Sequence, residues 1–223
     1  MHPDSKNYQG LQRLKSYGFS PSGILDIGAY NGDWSRGVRR IYPDAYVLMV
    51  DGLTEKEPIL RQVCAEIGNA DYVLTLLGAE ERETSFFVVL AGNIQTGSSV
   101  YKENTGYPTE ERNLSQRTLN SVLSEHPRQQ FQLIKLDVQG AELDVLAGAS
   151  QHLHRAEAVL MEVSTLQYNR GGPLVADVIP RMQALGFVLF DILDEIRFGN
   201  GYLFQFDALF VRPDAAFRPQ PPF

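Results

Sequence analysis

Four segments of the chain are rich in apolar residues without strict polar alternation: Gly23–Gly28 (GILDIG), Ala45–Asp51 (AYVLMVD), Phe131–Asp137 (FQLIKLD) and Ala156–Val163. A strand with one wet face alternates apolar with polar residues, so strands that do not alternate must be covered on both faces. Stretches of helical periodicity separate them: Asp33–Ile41, Glu55–Ile67 with Gly68 as its cap, Leu119–Glu125, Ala141–Ala149 and Val175–Leu185. Strand, helix and strand in repeated succession predict a doubly wound α/β fold around a mostly parallel sheet. Asp71–Leu77 and Thr84–Leu90 read as further strands, and Tyr8–Tyr17 as a leading helix. Between the last two strands, Phe187–Leu193 and Phe206–Val211, stands no helix. The polar connector Asp194–Gln205, with Gly199 and Gly201, predicts a hairpin and one antiparallel strand at the edge. The 223 residues suit one domain over 1–212, with Arg212–Phe223, which holds four prolines, as an extended tail.

In such a sheet a ligand lies beyond the carboxyl ends of the strands, where the winding reverses. The first strand runs through Asp26 into Gly28-Ala29-Tyr30-Asn31-Gly32 and then a helix start. Glycines there let backbone approach a ligand, and the helix N-terminus offers free N–H groups. A dinucleotide loop would read Gly-x-Gly-x-x-Gly without an acid before it, because pyrophosphate repels carboxylate. The spacing Gly28-x-x-x-Gly32 after Asp26 suits instead a ligand with a positive end, such as the ammonium and sulfonium of S-adenosylmethionine. The plainer alternative makes Asp26 a turn cap. Asp51-Gly52 closes the second strand, where a carboxylate can accept both hydroxyls of an adenosine ribose.

Asp137 ends a later strand, Glu142 opens the helix after it, and Glu162 closes the next strand. If adjacent strands carry Asp137 and Glu162, their carboxylates face one cleft. Crowding can then raise one pKa for proton abstraction, or the pair can hold Mg²⁺ through oxygen. The metal-free route is favoured, because so few carboxylates make a sparse Mg²⁺ site. Glu142 has the plainer alternative of a helix N-terminal acid.

These residues place the chain: over roughly Leu11 to Arg212 it resembles the FkbM-type S-adenosylmethionine-dependent methyltransferases. The resemblance rests on ILDIGAYNGDW (Ile24–Trp34), LIKLDVQGAELDVLAGA (Leu133–Ala149) and FDALFVR (Phe206–Arg212). Two departures stand out: Gln139 replaces the usual glutamate of Asp-Val-Glu-Gly-Ala-Glu, and Asp51-Gly52 replaces a glutamate followed by proline. The resemblance implies the seven-stranded, Rossmann-like sheet of class I methyltransferases and methyl transfer to a hydroxyl of a sugar, glycoconjugate or secondary metabolite. It implies that Asp26, Gly28 and Gly32, with Ala29, Tyr30, Asn31 and Trp34 of the same turn, hold the methionine portion. Asp51 and Gly52 would meet the ribose, and Leu77-Gly78-Ala79 would lie near adenine. Thr96-Gly97-Ser98-Ser99 would run beside the donor, with Asp137 near the methyl group and acceptor. The residues themselves offer Asp137, Glu162 and Glu142 as the catalytic carboxylates, with a base role favoured.

Lys102–Gln116 is polar and aperiodic, and reads as a mobile acceptor loop or lid. Specificity is assigned to that segment and to Thr165–Pro173. The histidines avoid strand ends, which suggests surface roles, and with one cysteine, Cys64, there is no zinc pattern. Trp34 reads first as packing its helix on the sheet, with the cofactor contact as the lesser alternative.

Charge narrows the partners. Lys+Arg 20 against Asp+Glu 27 gives −7, which disfavours a nucleic-acid partner. A lone cysteine, no apolar stretch of ~18 residues and a polar start predict a soluble, cytoplasmic protein. A nucleoside-binding module without catalysis is the alternative from another class. An NAD-dependent oxidoreductase is weakened by the missing third glycine.

Overall fold

The computed structural model describes residues 6–90, 97–104, 106–127 and 129–218. In chain order the elements are α1 (Lys6–Ser16), β1 (Gly23–Ile27), α2 (Asp33–Ile41), β2 (Tyr46–Asp51), α3 (Glu57–Ile67), β3 (Ala70–Leu74), β4 (Leu76–Gly78), β5 (Arg82–Val89) and β6 (Thr109–Thr118). There follow α4 (Leu119–Ser124), β7 (Leu133–Leu136), α5 (Glu142–Ala147), β8 (Ala158–Ser164), α6 (Val175–Ala184), β9 (Val188–Arg197) and β10 (Leu203–Val211).

Seven strands form the main sheet in the order β3-β2-β1-β7-β8-β10-β9. The chain winds outward from β1 to β3 and then returns to the other side of β1 at β7. The winding therefore reverses between β1 and β7, which pair in parallel with Asp26 opposite Lys135. The antiparallel pairing at the edge is made by β10, inserted between β8 and β9. Successive residues of each inner strand face opposite layers, so both faces are apolar. Leu25, Ile27, Leu48, Val50, Ile134 and Leu136 pack beneath α4, α5 and α6. Ile24, Val47, Met49, Leu133 and Leu160 pack beneath α1, α2 and α3.

Three expectations fail here, wholly or in part. The single strand expected at Asp71–Leu77 breaks at Thr75: β3 stays in the main sheet, whereas β4 joins a second, three-stranded sheet ordered β4-β6-β5. The second half of the expected lid, Thr109–Gln116, is most of β6, paired with β5 from Thr109↔Val89 to Gln116↔Arg82. This strand has little apolar content because one face is solvated. Ladder bonds hold it, together with polar contacts such as Ser85 Oγ to Glu111 (2.6 Å) and Arg112 to Glu55 (2.8 Å). Hydrophobic periodicity could not reveal it. Part of the expected tail also folds back: Phe217 is buried and its ring lies 4.7 Å from that of Phe19. The prolines beyond it lie outside the described residues. No helix among the described residues is long and apolar enough to cross a membrane.

Candidate active site

A cleft of about 510 Å³ opens over the carboxyl ends of β1, β2, β7 and β8, a size suited to a nucleoside-bearing cofactor. Its base is the turn after β1. Gly28 has φ +75°, and a Cβ there would stand 1.9 Å from the Asp137 carbonyl oxygen. Only glycine lets the turn abut the end of β7 so closely. Gly28 and Ala29 donate their N–H groups to the Val50 carbonyl (2.9 and 3.1 Å), and Tyr30 takes a left-handed conformation.

Asp51 locks this turn to β2. One carboxylate oxygen accepts the Tyr30 N–H at 2.7 Å and the other accepts the Leu53 N–H at 2.9 Å. Burial pushes its pKa upward against those two hydrogen bonds. The carboxylate retains acceptor capacity toward the cleft, which it lines beside Gly52. Of the residues expected at the cofactor, Ala29, Tyr30, Asn31, Trp34, Leu77 and Ser98 line the cleft; Thr96 lies outside the described residues.

Other expected residues sit behind the wall. Gly32 packs on Val63, and Gly78 on the Gln116 amide. Ser99 donates to the Val138 carbonyl at 3.2 Å and accepts from the Tyr101 N–H, so it shapes the loop. Asp26 is the largest departure. Strand alternation turns its side chain under α2 with Ile24, where it is fully buried and accepts from Ser35 Oγ at 2.6 Å. Its other oxygen stands 3.1 Å from Lys135 Nζ. Asp26 does not line the cleft; Lys135 does. Lys135 also donates to the Gly28 carbonyl at 3.0 Å and lies 3.6 Å from Asp137. Despite its burial, the carboxylates of Asp26 and Asp137 raise its pKa, which keeps the ammonium charged.

The acids separate into two kinds. Glu142, the first residue of α5, is buried beneath the loop that precedes it and accepts the N–H groups of Val138 and Gly140 at 3.0 Å each. Burial pushes its pKa up to about 7. It holds the loop and has no face on the cleft, so it is not placed to act on an acceptor. Asp137 and Glu162 both line the cleft. The side-chain amide of Gln139 joins them, donating at 2.8 Å to Asp137 and 3.2 Å to Glu162. Gln205 donates to Glu162 at 2.7 Å. Burial first, then the neighbouring Asp137, raises the Glu162 pKa well above the ordinary carboxylate range.

A cation fits this pair poorly. Among the described residues no three His, Cys, Asp or Glu side chains converge, and Gln139 offers a donor where a hard cation needs oxygen. Sequence reasoning missed Gln205, Tyr168 and Ile196, which line the cleft from β10, the loop after β8, and β9. Tyr168 falls within the segment assigned to specificity.

A sheet that winds out from β1 to β3, returns at β7 and ends on a reversed strand, with a glycine turn and an acid-ended β2 at its reversal, defines a class I S-adenosylmethionine-dependent methyltransferase. The sequence profile of the methyltransferase FkbM domain matches residues 26–189, and the chain belongs to that family. No curated protein sequence matches it significantly.

Solved structures resemble it in fold. The O-methyltransferase TomG from Streptomyces achromogenes, in complex with SAM, matches with TM-score 0.54 and 13% identity over 95% of this chain and 81% of that one. The N-terminal domain of EvdMO1 with SAH bound matches with TM-score 0.53 and 10% identity, over 95% and 82%. A precorrin-6y C5,15-methyltransferase from Geobacter metallireducens GS-15 gives TM-score 0.50 and 8% identity, over 89% and 84%.

Proposed function

We propose that the protein transfers a methyl group to a hydroxyl oxygen of a sugar, glycoconjugate or secondary metabolite, in the cytoplasm and without a metal ion. The observation that carries this reading is the Asp137–Gln139–Glu162 arrangement at the edge of the cleft. A neutral hydroxyl is a weak nucleophile and must lose its proton as it attacks. Glu162 carries a pKa raised above the ordinary carboxylate range, the direction that suits a general base. Gln139 and Gln205 both donate to the same Glu162 oxygen, Oε1, which orients the carboxylate before the acceptor arrives.

S-adenosylmethionine, when bound, supplies an electrophilic methyl group and a neutral thioether leaving group. Asp51 would hold the ribose hydroxyls. The turn at Gly28–Asn31 and the start of α2 would hold the methionine portion. Asp26 acts one step back, by keeping Lys135 in place. Glu162 would accept the hydroxyl proton of the acceptor as the methyl group is taken up.

Calorimetry with S-adenosylhomocysteine, followed by labelled-methyl transfer to a panel of hydroxyl compounds, tests the reading. Binding and transfer are expected, and chelation by EDTA should leave the rate unchanged. Absence of binding overturns the reading. Binding without transfer to any hydroxyl would favour a nucleoside-binding module instead.

A further inference from the structure

Next to the cleft lies a second chamber of about 280 Å³. The two spaces share Trp34, Lys135, Asp137, Glu162 and Ile196, so they meet at the carboxylate pair. Strand alternation explains the chamber's chemistry. Asp137 follows Leu133 and Lys135, Glu162 follows Ala158 and Leu160, and Asp207 precedes Leu209, all on the face beneath α1 and α2. Asp207 stands opposite Glu162 across the β8–β10 ladder and accepts the Asn7 amide at 2.7 Å.

Two needs in this chamber are unmet. Among the described residues, Asp207 and Glu162 have no cation at ion-pair distance; Lys135 is engaged by Asp26 and Asp137. Burial, with Asp137 adding to it, holds Asp207 at about 6 and Glu162 above its ordinary range, as expected for acids lacking a counter-charge. The opposite need is a donor. Trp34 is 4% exposed, and its indole Nε1–H is buried with no acceptor among the described residues. A buried N–H without a partner costs free energy that a bound oxygen would relieve.

We propose that this chamber is the acceptor subsite, and that it selects hydroxyl compounds carrying an ammonium group near the reacting oxygen, such as an amino sugar or amino alcohol. The inference rests on the O-methyl transfer proposed above. The ammonium sits at Asp207, a neighbouring oxygen accepts from Trp34, and the reacting hydroxyl lies at the shared rim beside Glu162. Desolvated carboxylates favour the cation over a neutral analogue of equal size.

The chain has one tryptophan, so a single indole N–H resonance reports on the wall between the chambers. Glucosamine against glucose, and ethanolamine against ethylene glycol, are titrated into protein saturated with S-adenosylhomocysteine while that resonance is followed. In at least one pair the amine is expected to shift it at ~10-fold lower concentration than its neutral partner. Asp207→Asn should erase that preference while S-adenosylhomocysteine affinity stays within about twofold. Response to glucosamine alone points to amino sugars, and response to ethanolamine to small amino alcohols. The inference falls if neutral partners match the amines, or if neither amine acts at tens of millimolar. The wild-type comparison decides this even if the variant fails to fold. S-adenosylhomocysteine binding without amine preference sinks only this inference; loss of that binding sinks the parent reading.

Discussion

Lys135 Nζ stands 3.1 Å from a carboxylate oxygen of Asp26, joining the two central strands inside the protein at the point where the winding reverses. The pair is buried, and its cation also reaches the Gly28 carbonyl and Asp137. One ammonium thus ties the Gly28 turn to the Asp137 carboxylate at the cleft.

Asp26→Asn should therefore act first on folding. Removing one partner of a buried pair leaves an uncompensated charge, which costs about 3–5 kcal/mol. A large fall in denaturation midpoint is expected, and Asp26→Asn combined with Lys135→Met should recover part of it. A single variant as stable as the wild type, with only S-adenosylhomocysteine affinity reduced, would return Asp26 to direct ligand contact.

The acid limb of the kcat/KM profile should lie above the ordinary carboxylate range. Glu162 must be ionised to accept a proton, so activity rises as pH climbs through its raised pKa. In Asp137→Asn the limb should move to lower pH, because a negative neighbour is gone. Glu162→Gln should lower kcat by ~10²-fold or more with donor affinity kept. A limb that ignores Asp137→Asn would take Glu162 out of the base role.

Gln139→Glu restores the residue usual in the family. It would exchange a donor for a third carboxylate beside Asp137 and Glu162. The added charge should push the acid limb upward and slow turnover at neutral pH. Rate profiles of the two proteins, with and without EDTA, measure this.

Glu142 makes stability pH-dependent. Its folded pKa of about 7 exceeds the ordinary glutamate value of 4.5, so the folded state binds more protons between those limits. The stabilising contribution is whole below about 4.5 and is lost as pH rises through 7, a change of up to roughly 3 kcal/mol. Urea denaturation at a series of pH values should show this decline, and Glu142→Gln should flatten it.

Asp51→Ala should weaken S-adenosylhomocysteine by more than ~1 kcal/mol, through lost ribose contacts and through the Tyr30 and Leu53 N–H groups it leaves without their acceptor. Calorimetry of variant against wild type gives the figure.

The wound sheet could be read directly from residue order, because burial on both faces writes itself as runs such as Ala45–Asp51. Helix α2 was equally plain, with Gly32 before it and Pro43 after it. Cleft residues carried by the Gly28 turn and by Asp51 were legible for the same local reason. Asp26 was misplaced because its partner Lys135 is over a hundred residues away, and only strand register brings the two together. Strand β6 stayed hidden because pairing with β5 and polar side-chain contacts supply its stability, and these leave no periodic apolar trace. Gln139 was visible as a departure from the family; its bridging of two carboxylates depends on a left-handed backbone at φ +55°.

The strand order also dictates when the fold can close. Ile24 of β1 pairs with Val47 soon after it and with Leu133 far downstream. Until β7 is synthesised, the inner edge of β1 is an open row of backbone donors and acceptors flanked by apolar faces. The β5–β6 hairpin in between needs only nearby partners and can form first. Contacts of long sequence separation form slowly, so the growing chain is most prone to sticky misassembly before residue 136 emerges. A fragment ending before β7 should aggregate during synthesis, and one ending after β8 should not do so at that edge.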